Sequence, residues 1–152
     1  MKFFKKKKVI MRGNTPLMDR WTLFECRFFS IKIHKLLASD QACLHDHPWP
    51  SVSFLLSGGY VEHTSLYGKK IGNYNNLLFD EETGLTEVMP SKGKVISRFS
   101  LVYRSANFAH RLEIHQPVYT LFITFKKERI WGFYTSEGWK YHRAYDEAND
   151  RC

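Results

Sequence analysis

A chain of 152 residues, 43% hydrophobic and 16% aromatic, has enough apolar material for one core, which excludes disorder over most of its length. Its net charge of +8 is partly local, because Lys2 and Lys5 to Lys8 crowd the first eight positions; such a run is a solvated tail or an edge-strand blocker. The remaining positive charge forms no dense Lys/Arg stripe, so a nucleic-acid partner is not expected, and steering of small anionic ligands is.

The basic segment 1–12 breaks any signal-peptide apolar stretch with lysines, and no run approaches the roughly twenty apolar residues of a membrane helix. Residues 21–37, WTLFECRFFSIKIHKLL, carry strand-type alternation at Phe29, Ile31 and Ile33. Residues 51–56, SVSFLL, lead through Ser57-Gly58-Gly59 into YVEHTSLY, a pattern that predicts a tight hairpin with Ser57 opposite Tyr60 and Leu55 opposite Glu62. Residues 68–93, rich in Gly and Asn, read as a loop insertion. Further strands are expected over 95–103, 110–115, 118–125 and 129–135, and residues 140–152 read as a tail that frays or forms a turn or two of helix. Many short strands at regular spacing, with no long amphipathic helix, predict a single-domain all-β barrel or sandwich over 1–152.

Three cysteines, Cys26, Cys43 and Cys152, form an odd set without CxxC spacing. That argues against a disulfide scaffold and for a reducing compartment, so a cytoplasmic location is expected. Cys43 shares strand parity with His45, and a small buried thiol is its commoner role, an extra metal ligand the rarer one.

The segment His45-Asp46-His47 carries the most chemistry. Positions i and i+2 of a strand point to one face, so both imidazoles reach toward one cation, whereas an exposed pair beside Pro48 is the bland alternative. If the hairpin forms without a bulge, Tyr60 and Glu62 share the inward face of His45, Ser51 and Ser53, and an inward glutamate needs a metal, a base role or an arginine partner. A bulge near Pro48 or Pro50 would instead expose it. Arg104 either approaches a ligand anion at the barrel mouth or is a solvated strand-end charge. His34, His63, His115 and His142 read as surface or packing histidines, and Trp49 as part of a pocket rim.

The stretch His45-x-His47-x3-Ser51-x6-Gly58 resembles the first motif of the cupin superfamily, and FSLVYRSANFAHRLEI resembles the second, placing a third ligand at His110. Ser51 stands where the family has its glutamate ligand; Phe99 and Asn107 stand at the two glycines of the second motif. The resemblance implies a double-stranded β-helix, or jelly roll, with a three-histidine centre of His45, His47 and His110, similar to that of the cupin thiol dioxygenases. The order LHDHPW, GGYVE, HRLE, RIWGFYTSEGW is also similar to small cupin-like proteins of bacteria and phages that bring no established activity.

These readings lead to an enzyme with one divalent metal ion, Fe(II) first and Zn, Ni or Mn as alternatives. Glu62, Tyr60 and Arg104 are its candidate catalytic groups, and a small anionic molecule its substrate. The reaction is then dioxygenase-like oxidation, isomerisation or hydrolysis. The alternatives are a non-catalytic module that sequesters a nucleotide or sugar phosphate, and a metal-free sugar-nucleotide isomerase or epimerase using barrel histidines as acid and base. A homodimer through the apolar N-terminal strands fits either class.

Overall fold

The computed structural model describes residues 2–40, 43–65 and 91–152, and these form twelve antiparallel strands with their turns. In chain order they are β1 (Lys2–Arg12), β2 (Thr15–Glu25), β3 (Ser30–Leu36), β4 (Leu44–His45), β5 (Ser51–Ser57), β6 (Tyr60–Ser65), β7 (Ser91–Ile96), β8 (Leu101–Arg104), β9 (His110–Glu113), β10 (Val118–Thr124), β11 (Gly132–Thr135) and β12 (Gly138–Tyr141). One six-stranded sheet runs β1-β2-β3-β10-β5-β8 and the other β12-β11-β4-β9-β6-β7. The chain crosses between the sheets at every step from β3 to β6 and again from β7 to β11, with β6 and β7 neighbours in the second sheet, which is the winding of a jelly roll. Among the described residues no helix is long and apolar enough to cross a membrane.

Alternation sets the inward faces. In β5 the residues Ser51, Ser53 and Leu55 are buried while Val52, Phe54 and Leu56 are half-buried, and β10 buries Val118, Thr120 and Thr124. Leu36, Leu55, Tyr60, Ile96 and Val118 form one apolar cluster, and Leu44, Ala109 and Tyr134 a smaller one. Fully burying a side chain such as Leu55 or Val118 contributes roughly 1.5–3 kcal/mol. Much of the remaining interior is polar: His34, Ser51, Ser53, Glu62, Arg104, His110 and Thr120 are all buried. A barrel that buries so many polar groups must satisfy them with one another or with a ligand.

Several expectations change. Gly58-Gly59 does not close a hairpin, because β5 and β6 lie in opposite sheets. The two glycines make a corner: a Cβ on Gly58 would lie 2.9 Å from the Pro117 carbonyl oxygen, one on Gly59 2.8 Å from that of Ile96, and Gly58 holds φ +77°. Residues 95–103 are not one strand, for β7 ends at Ile96 and β8 begins at Leu101. In the turn between them Phe99 holds φ 67°, a left-handed conformation rare for a bulky residue, at the place of the first glycine in the resembled motif. The loop expected over 68–93 falls mostly outside the described residues, and its last three belong to β7. Of segment 1–12, the described residues Lys2–Arg12 are no loose tail but the edge strand β1, where Lys7 pairs with Asp19 at 2.8 Å. The C-terminal segment is not helical either: it adds β12 and then turns.

The cysteine reading is corrected as well. Cys43 and Cys152 form a disulfide with Cα atoms 5.0 Å apart, while Cys26 is free. An odd count leaves two cysteines able to pair, and spacing along the chain could not show that the C-terminus returns beside β4. The argument for a reducing compartment loses its premise. Closing a loop of 109 residues restricts the unfolded chain strongly, so Cys152→Ser is expected to lower stability by roughly 2–4 kcal/mol. Urea unfolding without reductant checks this, and dithiothreitol added to wild type should reproduce the loss.

Candidate metal centre

His45 and His110 are register partners on adjacent strands β4 and β9, so their side chains leave the sheet on the same face. His47 lies just beyond β4, where its backbone N–H donates to the Ala106 carbonyl at 3.0 Å. The expectation that His45 and His47 share one strand face is thus corrected, but the two rings still converge. One ring nitrogen from each of His45, His47 and His110 lies within 4.8 Å of the others.

The residue between the two histidines builds this corner. Asp46 is fully buried and points away from the triad. Its Oδ1 accepts from the Gly132 backbone N–H at 2.8 Å, and its Oδ2 accepts from the Tyr134 hydroxyl at 2.9 Å and Trp139 Nε1 at 3.1 Å. Arg129 adds an ion pair to Oδ2 at 2.9 Å. These bonds tie β4 to β11 and β12.

Behind His110 stands a second layer. Its Nδ1 lies 2.6 Å from Glu62 Oε1, and the same oxygen accepts from Arg104 Nε at 2.6 Å. Arg104 also donates to Ser53 Oγ at 3.2 Å and to the Tyr60 hydroxyl at 2.9 Å. Glu62 therefore points inward, though its strand partners are Lys94 on β7 and Leu112 on β9, not Leu55. Arg104 is no solvated strand-end charge: it is 3% exposed and held by three side chains.

Burial and neighbouring charge keep His47 and His110 neutral. Burial, then the neighbouring His45 and Arg104, hold His110 well below the usual imidazole range. Burial, then the other two histidines and Arg104, do the same to His47 against a weaker opposing pull from Glu62. A carboxylate only accepts, so neutral His110 must carry its proton on Nδ1 and keep a lone pair on Nε2. Burial also pushes the Tyr60 hydroxyl up, foremost among opposing effects, while Tyr60 and Glu62 raise Arg104 against its own desolvation.

The donor set fits a metal ion. Two nitrogens each roughly 2.0–2.1 Å from one ion are about 2.9–3.4 Å apart for angles between square and tetrahedral; His47 Nε2 and His110 Nε2 are 2.9 Å apart. His45 Nδ1 is buried with no hydrogen-bond partner among the described residues. A carboxylate bonded to the outer ring nitrogen, as Glu62 is to His110, is the contact that fixes the tautomer of a metal-ligating histidine. Ser51, at the glutamate position of the resembled motif, is buried and lines the cavity. Cys43 is excluded as a ligand by its disulfide.

A cavity of about 330 Å³ opens onto the triad. Its wall includes Tyr60 and Arg104, the rim residue Trp49, Arg20, which the sequence does not single out, and His34, expected only as a surface or packing histidine. His34 is buried, packs 4.7 Å from the Phe122 ring, and accepts from Arg20 Nε at 3.2 Å. Alternation in β3 places His34 and Leu36 inward, but only the pairing of β2 with β3 brings Arg20 opposite. The other three histidines match the surface-or-packing reading: His63 and His115 flank the Glu113 carboxylate at 2.7 and 3.0 Å, and His142 stacks on Trp131 at 4.3 Å.

Burial, then the positive charges of Arg20 and Lys32, push His34 down to about 3 from its ordinary 6.5. Between those two values the unfolded chain binds a proton that native His34 refuses. Stability therefore falls as pH is lowered through that window, by up to about 1.4 kcal/mol per pH unit from this group. Urea midpoints at pH 7 and pH 5 measure it, and His34→Gln should flatten the difference; an unchanged difference would contradict it.

No family model and no curated protein matches the sequence. In fold, the chain is similar to an iron(II) form of HppE solved in complex with substrate, with a TM-score of 0.53 and 10% identity over 79% of this chain and 56% of that one. It thus spans little more than half of HppE. KdgF from Halomonas sp. matches at a TM-score of 0.51 and 10% identity, over 84% of this chain and 96% of that one. A protein of unknown function with a cupin-like fold from Ralstonia eutropha JMP134 matches at 0.50 and 12% identity, over 85% and 66%.

Proposed function

We propose that this chain, whose fold is a cupin-like jelly roll, is a mononuclear metal enzyme acting on a small anionic molecule. The observation that supports it most is the convergence of His45, His47 and His110 with a carboxylate fixing the outer nitrogen of one of them. Three protein ligands leave positions of a divalent ion open to substrate or water. Bound there, the ion supplies Lewis acidity and, as Fe(II), access to oxidation by O2.

The chain's own groups have separable roles. Glu62 orients His110 and neutralises Arg104, so neither charge needs the substrate. Arg104 donates to Tyr60, which leaves the Tyr60 proton, retained because burial disfavours the phenolate, to be donated to a ligand oxygen. Trp49 and Trp131 in the cavity wall limit water around the histidines. A metal-free reading has support in the His110–Glu62 dyad, which matches an acid–base pair in geometry.

Cobalt(II) and azide test the open positions. The Co(II)-loaded protein should change its visible spectrum saturably as azide is added, and Tyr60→Phe should weaken that response. A spectrum indifferent to azide would contradict an open centre and turn the account to the metal-free dyad.

A further inference from the structure

Two arginines line the cavity, and they differ in what holds them. Arg104 is spent on Glu62, Ser53 and Tyr60. Arg20, on β2 directly across from His34 on β3, makes no ion pair among the described residues. Its Nε donates to His34 and one terminal nitrogen meets only the Met18 sulfur at 3.8 Å. A thioether is a weak acceptor, so the outer edge of the guanidinium lacks a strong one in the protein. Asp40 also lines the cavity, but its Oδ2 accepts from the Leu112 backbone N–H at 2.7 Å and it does not bridge to Arg20.

A partly buried cation without a counter-ion is costly, and a planar fork of donors suits the two oxygens of an oxyanion. His34 is placed to steer that fork: accepting at Nε2, it fixes the Arg20 Nε edge and leaves the terminal edge for a ligand. About 330 Å³ holds one small molecule, and the same cavity touches both Arg20 and the three histidines.

We propose that Arg20, oriented by His34, is the anion-recognition residue of this cavity, so the ligand is a small molecule bearing a carboxylate or phosphate besides the group it offers the histidine centre. The bifunctional character rests on the metal-enzyme reading; the anion subsite does not. It is therefore tested on metal-free protein, where failure of the metal centre cannot affect the result.

The test follows the Arg20 Nε–H and His34 ring signals by NMR while inorganic phosphate or, separately, acetate is added. Saturable movement of both signals with one anion is expected, and the responding anion tells phosphate from carboxylate. Arg20→Gln should weaken that anion's binding about tenfold or more, the worth of a charge-assisted pair. Lys92→Gln, which removes an exposed charge on β7 in the other sheet, should leave it unchanged. Signals unmoved by both anions, equal binding in Arg20→Gln, or an equal loss in Lys92→Gln would overturn the proposal. The wild-type titration decides it even if Arg20→Gln fails to fold.

Discussion

Glu62→Ala is expected to destabilise the protein by about 3–5 kcal/mol, because it strands the Arg104 guanidinium in a buried site without its counter-ion. Ser53 and Tyr60 would still accept two of the arginine's hydrogen bonds, yet neither carries charge. The same substitution frees His110 Nδ1, so the ring can adopt the other tautomer and turn. Glu62→Gln separates the two effects. It keeps the shape and an acceptor, loses less stability, and should still cut metal affinity about 10–100-fold, as removal of an outer-layer partner does. Urea unfolding and competition with a chelator measure the two. Unfolding of Glu62→Ala at the wild-type midpoint would contradict the buried pair.

Asp46→Ala should cost a similar amount, about 3–5 kcal/mol, by another route. It removes the acceptor that gathers the Gly132 N–H, the Tyr134 hydroxyl and Trp139 Nε1, and it leaves Arg129 without its carboxylate. The first of these donors lies deep, since a Cβ on Gly132 would fall 2.0 Å from the Lys140 carbonyl oxygen. Replacement of the lost bonds by water is accordingly restricted at that point. Asp46 touches none of the three histidine rings' nitrogens, so the metal affinity of whatever fraction folds should fall less than in Glu62→Gln. A chelator titration at low temperature, beside the unfolding curve, reads that contrast.

The jelly roll was legible because alternation survives in short segments: SVSFLLS buries Ser51, Ser53 and Leu55, and VYTLFIT buries Val118, Thr120 and Thr124. The three histidines were legible through motif spacing, although β4 proves to be two residues long and His47 lies outside it. Glu62 shows how a right orientation follows from a wrong pairing. The Gly-Gly pair predicts a hairpin and makes a corner, yet the parity shared by Tyr60 and Glu62 depends only on their own strand. What stayed hidden depends on contacts far along the chain. Asp46 acquires its role from residues 86 to 93 positions away, Arg20 needs its register with His34, and the disulfide spans 109. Arg104 looked solvated because nothing adjacent in sequence reveals that Glu62 lies behind it, 42 positions earlier.

The most direct measurement is elemental analysis of purified, untagged protein beside His47→Ala and His110→Ala, each after incubation with Fe(II) and with Zn(II) and then desalting. The account predicts close to one ion per wild-type chain and a near-complete loss in both variants, with circular dichroism showing that they remain folded. No retained metal in the wild type, or equal retention in folded variants, would contradict a centre built from His45, His47 and His110.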